Sequence, residues 1–226
     1  MKLQSIYEHM EKGALLVPNG ANCKIVFRHS IRGKIESGIG REVMLTNEGI
    51  ELARSFGRNL NYDIGVIASS SCDRNIQTCN EIPKGKKVQK SIIIASKELE
   101  GPQTKDEKVC GMFFEKMNFR SDIIIHKLVT EGLPGFNTIE DAAKIMLDYI
   151  FANGNAENSV DLFCTHDFQM AILYAYLFGF KSSEEELKYT KWPMMLEGMI
   201  CWGTRNHFWC SWRDQIKEFI NKSSHE

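Results

Sequence analysis

Two histidines and three arginines stand in three short polar strings, each directly after an apolar run. Arg28, His29, Ser30, Ile31 and Arg32 follow the first apolar run, Ser69 to Arg74 follow the second, and Thr165, His166 and Asp167 follow the fourth. Arginine forks give paired hydrogen bonds to anionic oxygens and cannot lose their charge. Such a set suits phosphoryl transfer, where charge spread over three equatorial oxygens must be met by fixed positive groups while a nucleophile attacks in line. A histidine among arginines has its pKa pushed down by like charge, which favours the neutral imidazole that can attack near neutral pH. Charge logic allows His29 or His166 to be that nucleophile and does not choose between them.

Other phosphate chemistries find no support in the same residues. No cysteine is followed by arginine at C-x5-R spacing, no Asp-x-Asp pair occurs, and no cluster of carboxylates and histidines offers a two-metal centre. Catalysis is therefore expected without metal or cofactor. Cys201 and Cys210 flank His207, but a structural zinc site needs four well-spaced ligands, so packed thiols are the expectation there.

The elements that must position these strings can be read from periodicity. Four apolar runs read as strands buried on both faces: Lys24 to Phe27, Ile64 to Ala68, Ser91 to Ala95 and Val160 to Cys164. Between them lie helical patterns. One follows Thr46, a plausible N-cap, with Ile50, Ala53, Gly57 and Leu60 at helical spacing; another runs from Thr138 to Phe151 with Ile139, Ala142, Ala143, Ile145, Met146 and Tyr149 inward. Strands alternating with helices predict a three-layer α/β/α fold with a mostly parallel central sheet. In such a sheet the carboxyl ends of the strands form the ligand crevice, so the three strings are expected to meet there.

Residues 97–137 break the rhythm, with turn signals around short helical pieces at Val109 to Met117 and Asp122 to Val129. This segment is expected to be an insertion or cap over the site. Met194 to Thr204 and His207 to Trp212, separated by Arg205 and Asn206, predict an antiparallel edge hairpin near the C-terminus, followed by a helix from Asp214 to Ile220. Closely spaced tryptophans there are expected to pack in the core.

Bulk properties narrow the setting. A chain of 226 residues fits a single domain, 1–226. A formal charge of -1 gives no global field for nucleic acid or membrane, so any attraction for anions is local. Seven cysteines without a CxxC pair, and no apolar run of spanning length, predict a soluble cytoplasmic protein with reduced thiols. Oligomeric state is not readable.

Taken in order, RHSIRG, SSSCDRNIQTC and CTHD on their respective strands resemble the histidine phosphatase superfamily, whose fold is that of the phosphoglycerate mutases. The family's Arg-His-Gly is matched by Arg28 and His29, and its Ser-Ser-x-x-x-Arg-x-x-x-Thr-Ala by Ser69, Ser70, Arg74 and Thr78. The opening LTNEG, Leu45 to Gly49, resembles its Leu-Thr-x-x-Gly. The resemblance runs from about Lys24 to Asp167. It implies that His29 is transiently phosphorylated, that Arg28 and Arg74 hold phosphoryl oxygens, that His166 completes the pocket, and that Arg32 adds the second arginine of the acid phosphatase branch. In that branch the proton donor is the aspartate of a His-Asp pair, here Asp167; the mutase-like branch uses a glutamate after the third strand, for which Glu100 is the alternative.

Two positions depart from the pattern: Ser30 stands for the usual glycine, adding a side chain in a tight turn, and Cys79 for the usual alanine. Singly, each site residue has a structural reading, His166 as a hydrogen-bonded core residue and Asp167 as an N-cap. Jointly, structural needs do not explain arginine and histidine at three sheet termini. Arg74 in particular sits at the end of a helix whose dipole repels cations, which favours an anionic partner. The expected function is hydrolysis of a small anionic phosphomonoester. A phosphomutase of the same fold, or a catalytically weak phospho-ligand-binding module, stands as the alternative.

Overall fold

The computed structural model describes residues 15–60, 62–88, 92–154, 158–179, 192–213 and 215–220. Four parallel strands lie in the order β3-β2-β4-β1: β1 (Cys23–Arg28), β2 (Asp63–Ser69), β3 (Ile93–Ala95) and β4 (Ser159–Thr165). Three antiparallel strands extend the sheet beyond β1: β5 (Gly198–Thr204), β6 (His207–Trp212) and β7 (Gln215–Ile220). β1 and β4 are buried along their whole length, which is why both read as apolar runs rather than as alternating patterns.

Alternate residues of these strands feed two cores. Ile25, Phe27, Leu162 and Cys164 pack with Leu52, Ala53, Phe56 and Ile82 from α1 (Asn47–Asn59) and α2 (Asp73–Lys86). Val26 and Phe163 pack on the other face with α4 (Ser121–Thr130), α5 (Ile139–Ala152) and α6 (Asp167–Phe178). The result is the three-layer α/β/α arrangement expected from the strand and helix alternation. α3 (Glu107–Lys116) and a short 3-10 turn, Lys97–Leu99, complete the connection from β3 to α5. Among the described residues no helix is long and apolar enough to cross a membrane.

One pair of charges is buried between the strands. Lys24 Nζ lies 3.3 Å from Asp161 and also donates to the Gly154 carbonyl at 2.7 Å. Asp161 takes a further bond of 2.9 Å from the Val66 N–H, where the pairing of β2 with β4 shifts register. Both charges are thus compensated, as burial demands.

Thr46 caps α1 by accepting from the Gly49 N–H, and Thr138 caps α5 through the Asp141 N–H. The inward faces differ in part from expectation. In α1 the large buried residues are Leu52 and Phe56, and Leu60, the C-cap, packs partly buried against the same core. In α5 Ile145 is exposed, while Leu147, Ile150 and Phe151 are buried.

The predicted helix from Asp214 to Ile220 is instead β7; Asp214 itself lies outside the described residues. Six residues make under two helical turns, whereas the extended form pairs fully with β6 and stacks Phe219 on Phe208 at 4.9 Å between centroids. The predicted hairpin is present, with Cys201 and Cys210 as buried cross-strand partners. Trp202 and Trp212 are in the core, whereas Trp209 is half-buried.

Candidate active site

The pairing register brings the strand ends level. Arg28 stands opposite Thr165, and Ser69 opposite both Cys164 and Ala95. The ladder runs one residue further, with His29 N–H donating to Thr165, Ser70 N–H to Cys164 and Ser96 N–H to Ser69, all at 2.9–3.0 Å. His29, Ser70 and Ser96 are therefore fixed by backbone bonds at one sheet edge, with His166 directly following Thr165 there.

His29 is 2% exposed. Its Nδ1 lies 2.7 Å from the Ser30 carbonyl, and its Nε2 lies 3.1 Å from Arg74 Nε. A guanidinium only donates, so Nε2 carries the lone pair and Nδ1–H donates to Ser30. Burial, then the charges of Arg28 and His166, push the His29 pKa well below its ordinary value; the Ser30 bond opposes them, and Arg74 adds a lesser push downward.

Arg74 links the two histidines. Its Nη1 donates to the Gly40 carbonyl at 2.6 Å, and its Nη2 lies 3.4 Å from His166 Nδ1. That contact makes Nδ1 the acceptor, leaving His166 Nε2–H to donate to Ser70 Oγ at 2.8 Å. The two rings meet edge-on, 5.6 Å apart. Burial and then Arg74 lower the His166 pKa, partly opposed by Asp167 and Glu100.

Arg28 donates through Nη1 to the Pro193 carbonyl at 2.8 Å, and its Nη2 lies 3.0 Å from Asp167. Its buried Nε–H meets no acceptor among the described residues. Asp167 also accepts from its neighbour Phe168 N–H at 2.9 Å and from Trp192 Nε1 at 3.4 Å. Burial alone would raise this carboxyl, but Arg28, His166 and the Phe168 N–H together hold it below its ordinary value. Among the described residues Arg32 bonds only locally, to the Gly33 carbonyl, yet it lines the same cleft, and burial and the nearby Arg74 and Arg28 lower its pKa.

Glu100 reaches the same cleft from the end of the 3-10 turn. It is ion-paired with Arg41 and accepts from Ser71 Oγ at 2.5 Å and Ser71 N–H at 3.2 Å. Burial raises this carboxyl, but Arg41 and Ser71 outweigh it, so Glu100 too is held ionised. Arg41 was not among the candidates read from the sequence. The usable signal was its place in the β1–α1 connection, which must emerge at the carboxyl edge of the sheet.

Ser30 does not crowd the cleft: its Oγ donates to the Gly49 carbonyl at 2.7 Å, and its N–H to Thr78 Oγ1 at 3.1 Å. Cys79 is fully buried. The cleft has a volume of about 860 Å³, and Arg28, His29, Arg32, Arg74, His166 and Asp167 all line it. All sequence-predicted site residues thus share one cavity.

The same chain trace recurs in solved structures. A phosphoglycerate mutase from Bacillus anthracis superposes with a TM-score of 0.53 at 16% identity, over 84% of this chain and 92% of that one. The chain has the phosphoglycerate mutase-like fold. A phosphoserine phosphatase from Entamoeba histolytica, solved in complex with 3-phosphoglyceric acid, gives 0.52 at 18% identity, over 80% and 90%. A mycobacterial hydrolase gives 0.54 at 13%, over 90% and 100%. This is the fold of the histidine phosphatase superfamily. No protein-family model and no curated protein matches the sequence.

Proposed function

We propose that the protein hydrolyses a small phosphomonoester, without metal, through a phosphohistidine formed on His29. The observation that carries this reading is the fixed tautomer of His29, whose Nε2 lone pair faces Arg74 in a buried site of depressed pKa. On entry the phosphoryl group exchanges the Arg74–His29 bond for contacts with Arg74, Arg28 and Arg32. Nε2 attacks phosphorus, and the ester P–O bond breaks as the leaving oxygen takes a proton from Asp167. Water then attacks the phosphohistidine, Asp167 recovers the proton, and inorganic phosphate departs.

Asp167 is the better acid because its main charge partner, Arg28, is one that a phosphate dianion also engages. The incoming negative charge weakens that pairing and raises the carboxyl's pKa. Glu100 keeps its bonds from Ser71 and Arg41, which favour the ionised form. Residues 97–137 serve as the cap; Glu107, Phe114 and Phe119 from this segment line the cleft.

A phosphomutase is the second reading, favoured by the Bacillus anthracis neighbour. Hydrolysis is preferred because Ile39 and Phe119 leave the cleft open to water, which a waiting phosphoenzyme must exclude. A binding module has no need of a neutral imidazole. Seven buried free thiols support a cytoplasmic setting.

A panel of phosphomonoesters assayed in chelator tests the reading. Inorganic phosphate should appear, and His29→Ala should abolish its release; survival of activity in that variant refutes the assignment. Asp167→Asn should lower kcat/KM, which reports only the step that forms the phosphoenzyme, by roughly a hundred-fold for glycerol phosphate and far less for an activated aryl phosphate. Equal losses on both substrates would remove Asp167 as the acid.

A further inference from the structure

The floor of the cleft is cationic, but the wall above it is of another character. Glu107, Cys110, Gly111, Phe114 and Glu115 line the cleft from α3 at spacings of three and four, so one helical face is presented to it. Gly111 sits mid-helix, where glycine is disfavoured, and a Cβ there would meet nothing within 4 Å. Close packing therefore does not require this glycine; what it does is leave a notch beside Phe114. Phe114 is itself braced by Phe168 at 5.4 Å and Phe136 at 6.0 Å.

The turn from α3 to α4 adds a second feature. Asn118 and Phe119 both adopt left-handed backbone, with φ of 49° and 55°. For a bulky aromatic this is a true outlier, and strain of this kind gathers at ligand clamps. Phe119 remains 37% exposed while lining the cleft, and Ile39, 51% exposed, joins it from the β1–α1 connection. Charge points the same way. Lys97, Glu107 and Glu115 line this wall, which therefore carries no excess of cations, while Glu100 and Arg41 neutralise one another.

Resting on the phosphatase reading, we propose that this wall selects the alcohol part of the substrate: a phosphomonoester whose alcohol carries an apolar group of aromatic size and no second anion. Phe119 and the notch at Gly111 are its specificity determinants.

Specificity constants for 2-phenylethyl phosphate, glycerol 3-phosphate and 3-phosphoglycerate test this. The first two release primary alcohols, so their leaving groups are matched. Phenylethyl phosphate should exceed glycerol phosphate by roughly ten-fold or more, with 3-phosphoglycerate slowest. Gly111→Leu, which fills the notch, and Phe119→Ala should each draw that ratio several-fold toward one, whereas a merely structural effect lowers both substrates together. A wild-type ratio near one, or a ratio that neither variant moves, overturns the inference while turnover itself still supports the phosphatase reading. Absence of turnover on every ester defeats that reading instead; calorimetric affinities for 2-phenylethylphosphonate and 2-hydroxyethylphosphonate then decide the inference by the same ratio.

Discussion

An imidazole beside guanidinium groups can attack only while it is neutral, and the surroundings of His29 keep it so. That depression has a sign and a window. The unfolded chain binds a proton at His29 as the pH falls through its ordinary value of 6.5, whereas the folded chain does not until its lower value is reached. The stability contributed by neutral His29 is therefore complete above pH 6.5 and is lost on acidification, by about 1.4 kcal/mol per pH unit. His166 acts in the same direction. Asp167 and Glu100 enter only nearer their ordinary values of 3.8 and 4.5, so the interval from 6.5 down to about 5 belongs to the histidines. Urea unfolding across that interval should show the slope, and His29→Asn should flatten it; a slope identical in wild type and variant would contradict the burial argument. The type and order of these residues were legible in the sequence, because each follows an apolar run. Their hydrogen-bonded partners were not: Ser30, Gly40 and Pro193 act through backbone carbonyls, which carry no signature of residue type.

The helices that hold the site meet through glycines. A Cβ on Gly57 of α1 would fall 1.9 Å from the Ile82 carbonyl oxygen of α2, and one on Gly85 of α2 would fall 1.9 Å from that of Arg54. Backbone cannot yield as a side-chain tip does. Gly57→Ala and Gly85→Ala should therefore each destabilise the fold by about 1–3 kcal/mol in chemical denaturation. Gly111→Ala, which meets open space, should leave stability unchanged or raise it by up to ~1 kcal/mol. Loss of stability at Gly111, or none at Gly57 and Gly85, would contradict this packing. β1 and β4 were readable because burial on both faces makes unbroken apolar runs, whereas β2 proves buried only toward its carboxyl end and β3 is a largely exposed edge strand, against the expected burial on both faces. β7 was not: QIKEFI carries a pattern compatible with a helix, and only its pairing with the neighbouring β6, which no signal within QIKEFI announces, draws it into the sheet. The rotation of α1 toward Leu52 and Phe56 was missed for a related reason, since its glycines place the helix so close to α2 that neighbouring positions share the core.

At the scale of the molecule, the parallel sheet turns sequence distance into proximity. His29, Arg74 and His166, spread over more than half the chain, meet because β1, β2 and β4 end at one level, and residues of the segment after β3 line the same cleft. The central claim, that this convergence makes His29 a covalent nucleophile, is open to one direct measurement. Asp167→Asn given a radiolabelled aryl phosphate should accumulate phosphoenzyme, since a good leaving group spares the acid step while attack by water lacks its base. Alkaline quench and peptide mass spectrometry should find about one phosphoryl group per chain, on His29, stable in base and lost in acid. Label on His166 or any other residue, or a burst of aryl alcohol with no phosphoenzyme, would contradict the account.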